Sequence, residues 1–337
     1  VNRASVVAIV GGDTSLGAAL NRALQEVSAV ERIILLDNDE SQVVGHKTRS
    51  YAVDRTQPTA PVRLAEVLNA EAVDCVVHLG FLDLPSHREG RSHELESIGT
   101  LHLLAACREA SVRKLVLGSQ TLLYGALPDN PNYLDEQRPL RCAGGVGGAS
   151  GRPGYFQDKL DAERELERFR EDTPTCRVSV LRMAPLLGAG VDSHLTRWLA
   201  APLVPVLMGF DPLVQVLHLS DAVAALALAI ERDAEGVFNI VADGVLPLST
   251  ALTLIGRSAL PMPEVLLRLA AGAMWWAEIA AVPPAFVSYL RYLCVGDGQR
   301  ARDVLGFVSG YTTRDAVLDF GTTLRMKEAH LLGEAAV

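Results

Sequence analysis

Tyr155 and Lys159 stand four residues apart in the segment YFQDK. On a helix that spacing puts both side chains on one face. A phenol ordinarily titrates near pH ~10, too high for easy proton exchange at neutrality. An ammonium beside it stabilises the phenolate and lowers that value, so the pair has the makings of an acid/base. Tyr-x3-Lys is common by chance, and a surface pair is its ordinary explanation. A second cluster gives it weight. The stretch IVGGDTSLGAAL, residues 9–20, follows an apolar run and carries Gly11, Gly12 and Gly17 ahead of a helical pattern. A strand, a phosphate-holding turn and a helix N-terminus are written this way. The run RIILLD then ends in Asp37, twenty residues beyond Gly17. An acid at the tip of a second strand can accept both ribose hydroxyls of an adenosine, and it repels a 2′-phosphate. The combination reads as a dinucleotide site that favours NAD over NADP.

The middle glycine of such a turn is replaced by Thr14. A β-branched residue resists positive φ, and holding one there costs about 1–3 kcal/mol. Either the site pays that cost or the turn shifts, with the Thr14 or Ser15 hydroxyl bonding a phosphate.

The elements that must position these groups are legible as alternation. Strand-like runs lie at 5–10, 32–37, 75–80, 114–119, 177–183 and 237–241. Between them, SLGAALNRALQEV, PVRLAEVLN, IGTLHLLAACREA and YFQDKLDAERELERF carry apolar residues at helical spacing. The expected fold is α/β, a Rossmann-type doubly wound parallel sheet with a smaller C-terminal substrate lobe. Residues 1–185, with 214–242 returning, are assigned to the nucleotide-binding domain. Residues 186–213 and 243–325 are assigned to the lobe, and 326–337 to a tail. The Gly-rich segment 141–154 lacks a P-loop ending and reads as a mobile loop.

The 337 residues are 49% hydrophobic and carry a formal charge of −9, without a Lys/Arg run. Such a chain can bury a large core and is not expected to bind nucleic acid. The five cysteines are scattered, which fits a reduced, cytoplasmic setting. His78, His102, His194 and His218 fit no metal spacing, so no metal is expected. The N-terminus enters a strand almost at once, without the pattern of a signal peptide. The apolar stretch 265–282 is interrupted by Arg268 and Glu278. It reads as a lobe helix rather than an integral membrane span, with a membrane-surface helix as the alternative.

With these pieces in place, the chain resembles an extended short-chain dehydrogenase/reductase of the NAD-dependent epimerase/dehydratase type, over about residues 5–320. The matching segments include VGGDTSLG, LLDND, VDCVVHLG, IGTLHLLAACREASVRKLVLGSQTLLYG, YFQDKLDAERELE, VSVLRMAPLLGAG and VLHLSDAVAAL. The resemblance implies that Gly11, Gly12, Thr14, Ser15, Leu16 and Gly17 form the pyrophosphate turn. It implies that Asp37 and Asn38 hold the adenosine ribose and that Asp54 and Arg55 lie against the adenine. Leu79, Gly80 and Phe81 would line the cofactor cleft. Tyr155 would be the acid/base, and Lys159 its partner and a ribose ligand. NAD would be the cofactor, a small molecule the substrate, and a homodimer through paired helices the usual assembly.

The chain departs from that pattern at chemically important places. The Ser or Thr that bonds the reacting oxygen is replaced by Gln120, flanked by Ser119 and Thr121. Gln120 can still donate through its amide, and Thr121 is the other candidate for the role. Glu96 stands where "NxxGT" has Asn, and Pro185 where nucleotide-sugar enzymes place a diphosphate-facing Asn. The Arg expected before the LHLSD segment is absent, with Gln215 there instead. Arg182, Arg197, Arg300 and Arg302 are the remaining candidate cations for a diphosphate. The second lobe is apolar, which suits a sterol- or isoprenoid-like alcohol. Three readings follow, in this order: an NAD-dependent oxidoreductase acting at a secondary alcohol or ketone; a nucleotide-sugar 4-epimerase or dehydratase; a catalytically degenerate NAD-binding or sensing protein.

Overall fold

The computed structural model describes residues 5–39, 45–81, 89–142, 155–277 and 284–334. The Gly-rich segment from 143 to 154 and the end of the apolar stretch, 278–282, lie outside them.

Seven strands form a parallel sheet: β1 (Val6–Val10), β2 (Arg32–Asp37), β3 (Thr48–Ala52), β4 (Cys75–His78), β5 (Lys114–Gln120), β6 (Arg177–Met183) and β11 (Gly236–Ile240), in the order β11-β6-β5-β4-β1-β2-β3. The central strands are buried along their whole length, as expected where both faces of a parallel sheet are covered. Alternate side chains enter different cores. Val7, Ile9, Ile33 and Leu35 pack with Leu20 and Leu24 of α1 (Ser15–Gln25) and Leu226 of α7 (Leu219–Glu231). Val6, Ala8, Ile34 and Leu36 pack with α2 (Ala60–Ala70), α4 (Gly99–Glu109) and Leu166 of α5 (Tyr155–Asp172). Strand order reverses between β1 and β4, where Val10 faces His78 in register. Ligands of doubly wound sheets bind at the carboxyl ends of the strands at such a reversal.

β3 is the sheet element without an apolar run. It reads TRSYA, is only partly buried and sits on the edge. Its Arg49 and Tyr51 meet Glu71 beside Arg32, so polar contacts secure it where core packing does not.

Before α4, the short helix α3 (Glu89–His93) passes through a π-helical turn, Glu94–Ile98. After β6 come β7 (Leu186–Leu187), α6 (His194–Ala200), β8 (Leu203–Leu207), β9 (Leu213–Val214) and β10 (Leu217–His218). After β11 come β12 (Leu246–Pro247), α8 (Leu248–Ile255), β13 (Ser258–Met262), α9 (Glu264–Trp276) and α10 (Thr313–Glu334). β8 and β13 pair in parallel, and Leu199, Val204, Leu252, Val317 and Phe320 form a separate lobe core. Residues 326–334, expected as a tail, continue α10. α9 fills the place of the expected lobe helix and leaves Val265, Leu269 and Trp276 exposed. Among the described residues, no helix is long and apolar enough to cross a membrane.

Candidate active site

The glycine turn leaves the end of β1 and runs directly into α1. Gly11 has φ +89°, and a Cβ there would lie 2.7 Å from the Leu79 and Gly80 backbone. At Gly17 a Cβ would come within 2.0 Å of the Gly11 carbonyl oxygen. Glycine is thus required once by conformation and once by close approach. At Thr14 the strained alternative does not hold. Its φ is −68° and ψ 156°, ordinary extended backbone at the N-cap of α1. Its hydroxyl accepts from the Gly17 amide at 3.0 Å and donates to the Gly11 carbonyl at 2.7 Å. The threonine closes the turn through its own side chain, a cap worth about 1 kcal/mol.

Asp37, at the end of β2, accepts from the amides of Gly11 and Gly12 at 3.0 Å each through Oδ1. Burial, with the charge of Asp13 adding to it, pushes its pKa up to about 6. Asp13 lies beside this carboxyl, but among the described residues no donor meets Oδ2, and Asn38 Oδ1 and Arg55 Nε and Nη1 are likewise buried without a hydrogen-bond partner. The remaining Arg55 nitrogen, Nη2, donates to the Gly80 carbonyl at 3.1 Å. Asp37, Asn38 and Arg55 line one cavity of about 170 Å³ with Gly11, Gly80 and Phe81. Buried polar atoms are normally satisfied, so this convergence marks a polar ligand's place. A carboxylate and a carbonyl oxygen match hydroxyl donors, and a guanidinium matches phosphate. The residues therefore fit an adenosine diphosphate moiety. Asp54 is not part of this lining. It is exposed, and its carboxylate accepts from Thr56 and Gln57 in its own turn.

Ser15, Leu16, Leu79 and Phe81 lead to a second cavity of about 100 Å³ that reaches Gln120, Tyr155 and Lys159. The first turn of α5 places Lys159 Nζ over the Tyr155 ring, 4.1 Å from its centroid. The ammonium is buried and meets both carboxylate oxygens of Glu96, at 2.8 and 3.0 Å. Burial alone would lower the lysine pKa, but the charge and hydrogen bonds of Glu96 lead the opposing effects and hold the group cationic. Gln120 Nε2 lies 3.4 Å from the Tyr155 hydroxyl, placing an amide donor beside the acid/base candidate. Thr121 is not brought there. The chain turns into a 3-10 helix at this residue, and its methyl packs against Gly296. Ser119 is committed as well, its hydroxyl donating to Glu163.

Some site residues carried no sequence signal of their role. His78 Nδ1 accepts from the Gly80 amide at 3.3 Å, while Nε2 meets the Thr100 hydroxyl at 2.9 Å. Burial and the nearby Arg55 keep the imidazole neutral. Thr100 in turn donates to the Glu96 carbonyl, so one chain of bonds joins the cofactor-side loop to the turn carrying Glu96. Tyr155 also packs against the rings of His194 and Phe286, at 6.1 and 6.0 Å.

A third cavity, about 440 Å³, adjoins the Tyr155 site and shares Leu122, Pro185, His194 and Leu195 with it. α6, α9, β8, β13 and the segment around Phe286 and Leu290 enclose it. None of its described lining residues is Asp, Glu, Lys or Arg. The candidate cations for a diphosphate are engaged elsewhere. Arg182 is buried against Glu163 at 2.7 Å, and Arg197 pairs with Asp192 at 2.7 Å. Arg302 pairs with Asp243 at 3.1 Å, and Arg300 donates to the Val237 carbonyl at 3.0 Å. Gln215 clasps the Gly296 backbone in both directions.

Known proteins place this geometry in a family. The family model "NAD dependent epimerase/dehydratase family" matches residues 7–241. An uncharacterized protein of Mycobacterium tuberculosis is 32% identical over 328 residues, covering 94% of this chain and 83% of its own. A 3-diazoavenalumate denitrifying reductase of a Streptomyces species is 30% identical over 243 residues, 66% of this chain and 77% of the relative. In fold, the chain is similar to a UDP-glucose 4-epimerase of Thermotoga maritima, with TM-score 0.71, 17% identity, and 96% and 99% of the two chains covered. It is also similar to a dTDP-glucose 4,6-dehydratase of Bacillus anthracis solved with NAD, with TM-score 0.69, 14% identity, and 96% and 97% covered. The match over most of the chain, on a doubly wound sheet with its glycine turn and its Tyr–Lys pair, makes this protein a member of the NAD-dependent epimerase/dehydratase family.

Proposed function

We propose that this protein is an NAD-dependent oxidoreductase acting at a secondary alcohol or ketone of a lipophilic, sterol- or isoprenoid-like substrate. The observation that carries the reading is the 440 Å³ cavity beside Tyr155, whose described walls hold no ionisable Asp, Glu, Lys or Arg. An apolar body would gain roughly 25 cal/mol per Å² of surface buried there. A sugar diphosphate would leave its charges without cations, a large penalty in a dry site.

NAD, when bound, supplies the hydride acceptor or donor. The protein's residues do the rest. Asp37 and Asn38 receive the adenosine ribose and Arg55 offers positive charge to the phosphates. Tyr155 exchanges the proton with the substrate oxygen. Lys159 holds its ammonium over the Tyr155 ring, and Gln120 donates an amide hydrogen bond to the substrate oxygen. The hydroxyl position of this site is thus served by an amide, which argues for altered rather than lost chemistry. A homodimer in a cytoplasmic setting belongs to the same proposal and is checked by light scattering of the purified protein.

The test is turnover. NAD-loaded protein is offered sterol and isoprenoid secondary alcohols in parallel with UDP- and dTDP-hexoses, with products followed by chromatography. Oxidation of a lipophilic alcohol that is lost in Tyr155→Phe supports the reading. Turnover of a nucleotide sugar alone rejects it.

A further inference from the structure

Lys159 does not face Tyr155 as a lone cation. Glu96 reaches it from the π-helical turn between α3 and α4, sixty-three residues away in sequence, with two contacts of 2.8 and 3.0 Å. The side chains of lysine and glutamate are only 4% and 2% exposed, so solvent screens the pair little. A π turn inserts a residue into the helix and re-aims the side chains around it, which is why such turns recur at functional sites. Here the Glu96 carbonyl is held by Thr100, itself bonded to His78, so the carboxylate arrives on a fixed arm.

We propose that Glu96 is a positioning residue that locks the Lys159 ammonium in place and cancels much of its charge toward Tyr155, so that the phenol remains protonated near neutral pH and is set to donate. The proposal rests on Tyr155 being the acid/base. In the favoured direction NADH, when bound, would supply the hydride to the substrate ketone. Tyr155 gives its proton to the ketone oxygen and regains one from solvent as the alcohol leaves. In the reverse direction the phenol must first ionise, so oxidation rises toward alkaline pH.

Arg55 interacts with Glu96 across the cleft. Asp158, the residue before Lys159, pairs with His93 at 2.6 Å. Gln120, His194, Phe286 and Tyr289 surround Tyr155 from the other elements. Asp158 adds its charge to that of Glu96 at the lysine, but the hydrogen bonds come from Glu96.

The test is the titration of Tyr155 itself, read as tyrosinate ultraviolet absorbance minus that of the matching Tyr155→Phe protein. No substrate is needed, so this proposal and the substrate assignment fail separately. Glu96→Gln removes the carboxylate charge and should lower the Tyr155 pKa by about one to two pH units. Glu96→Asp keeps the charge and should stay within about half a unit of the parent. Should Glu96→Gln fail to fold, for it leaves a buried ammonium unpaired, the doubly neutral Glu96→Gln/Lys159→Gln protein replaces it. With the charges already cancelling, that swap should raise the Tyr155 pKa by less than about one unit. An unshifted Tyr155 in Glu96→Gln, or a rise of about two units or more in the double variant, would overturn the proposal, since each means that Lys159 acts on the phenol as an uncompensated charge.

Discussion

On the sheet side of the cleft, Asp37 Oδ2, Asn38 Oδ1 and two Arg55 nitrogens are buried without hydrogen-bond donors or acceptors among the described residues, around a space of about 170 Å³. On the lobe side, about 440 Å³ is enclosed by Leu, Ala, Val, Met and aromatic side chains, with the nearby arginines tied to carboxylates or carbonyls outside it. The first wall has polar groups in search of a charged, hydroxyl-rich ligand. The second has volume but almost nothing to offer a charge. Tyr155, Lys159 and Gln120 sit at the seam. On the proposed reading, one cleft keeps the dinucleotide half of a family site while its other half suits a different class of substrate.

The comparison is broken most severely at the seam. Tyr155→Phe removes the proton carrier and is expected to cut turnover by roughly 10²–10⁴-fold. NAD affinity, which belongs to the polar wall, should change by less than about threefold. Steady-state kinetics and calorimetry on the same protein separate the two effects.

Within the polar wall, Asp37→Asn should weaken NAD binding by about ten- to a hundredfold, because charge-assisted hydrogen bonds are worth about 1.5–3 kcal/mol. Protonation does the same reversibly. The Asp37 carboxyl, raised to about 6 by burial and Asp13, accepts ribose hydroxyls best when ionised. Affinity should therefore rise between about pH 5 and about pH 7, and calorimetry should find that step missing in Asp37→Asn. The stability linkage has the opposite sense. A carboxyl whose folded pKa lies above its unfolded value favours the fold at low pH and loses that contribution as pH climbs from about 4 toward about 6. Denaturant melts across this range, compared with Asp37→Asn, would reveal the term.

In the apolar wall, Ala271→Arg places a cation in the cavity. KM for a lipophilic substrate should rise about tenfold or more, while calorimetry should find NAD affinity unchanged. A substrate with a diphosphate would instead bind better.

The smallest effect concerns the turn. Thr14→Ala should cost about 1 kcal/mol through loss of the cap, and Thr14→Gly only a few tenths. Chemical denaturation gives both values. Marked stabilisation by glycine would mean that the threonine is strained after all.

The sheet was readable from sequence because its central strands are continuous apolar runs, and continuous burial is what a doubly covered sheet demands. β3 escaped because an edge strand held by Arg49, Tyr51 and Glu71 has no such run. Gly11 and Gly17 were legible because close backbone approach leaves few residue choices, and Asp37 because it ends an apolar strand beside that turn. Thr14 was left between two alternatives for a local reason: its type signals stiffness, but not that its hydroxyl would bridge Gly11 and Gly17. Glu96 stood out as an unusual residue, yet its partner lies sixty-three positions away and only packing of α5 against the π turn joins them. The arginines were illegible in the same sense, since a cation's availability depends on which carboxylate reaches it first. Thr121 and Gln120 are neighbours in sequence, but the strand ends between them and sends their side chains apart.

The most direct test of the two-walled cleft is a competition at alkaline pH on the NAD-saturated protein, with one secondary alcohol of a sterol and one UDP-hexose at equal concentration and both products followed by chromatography. The account predicts conversion of the sterol alcohol and an untouched UDP-hexose. Conversion of the UDP-hexose with the sterol left unchanged would contradict it.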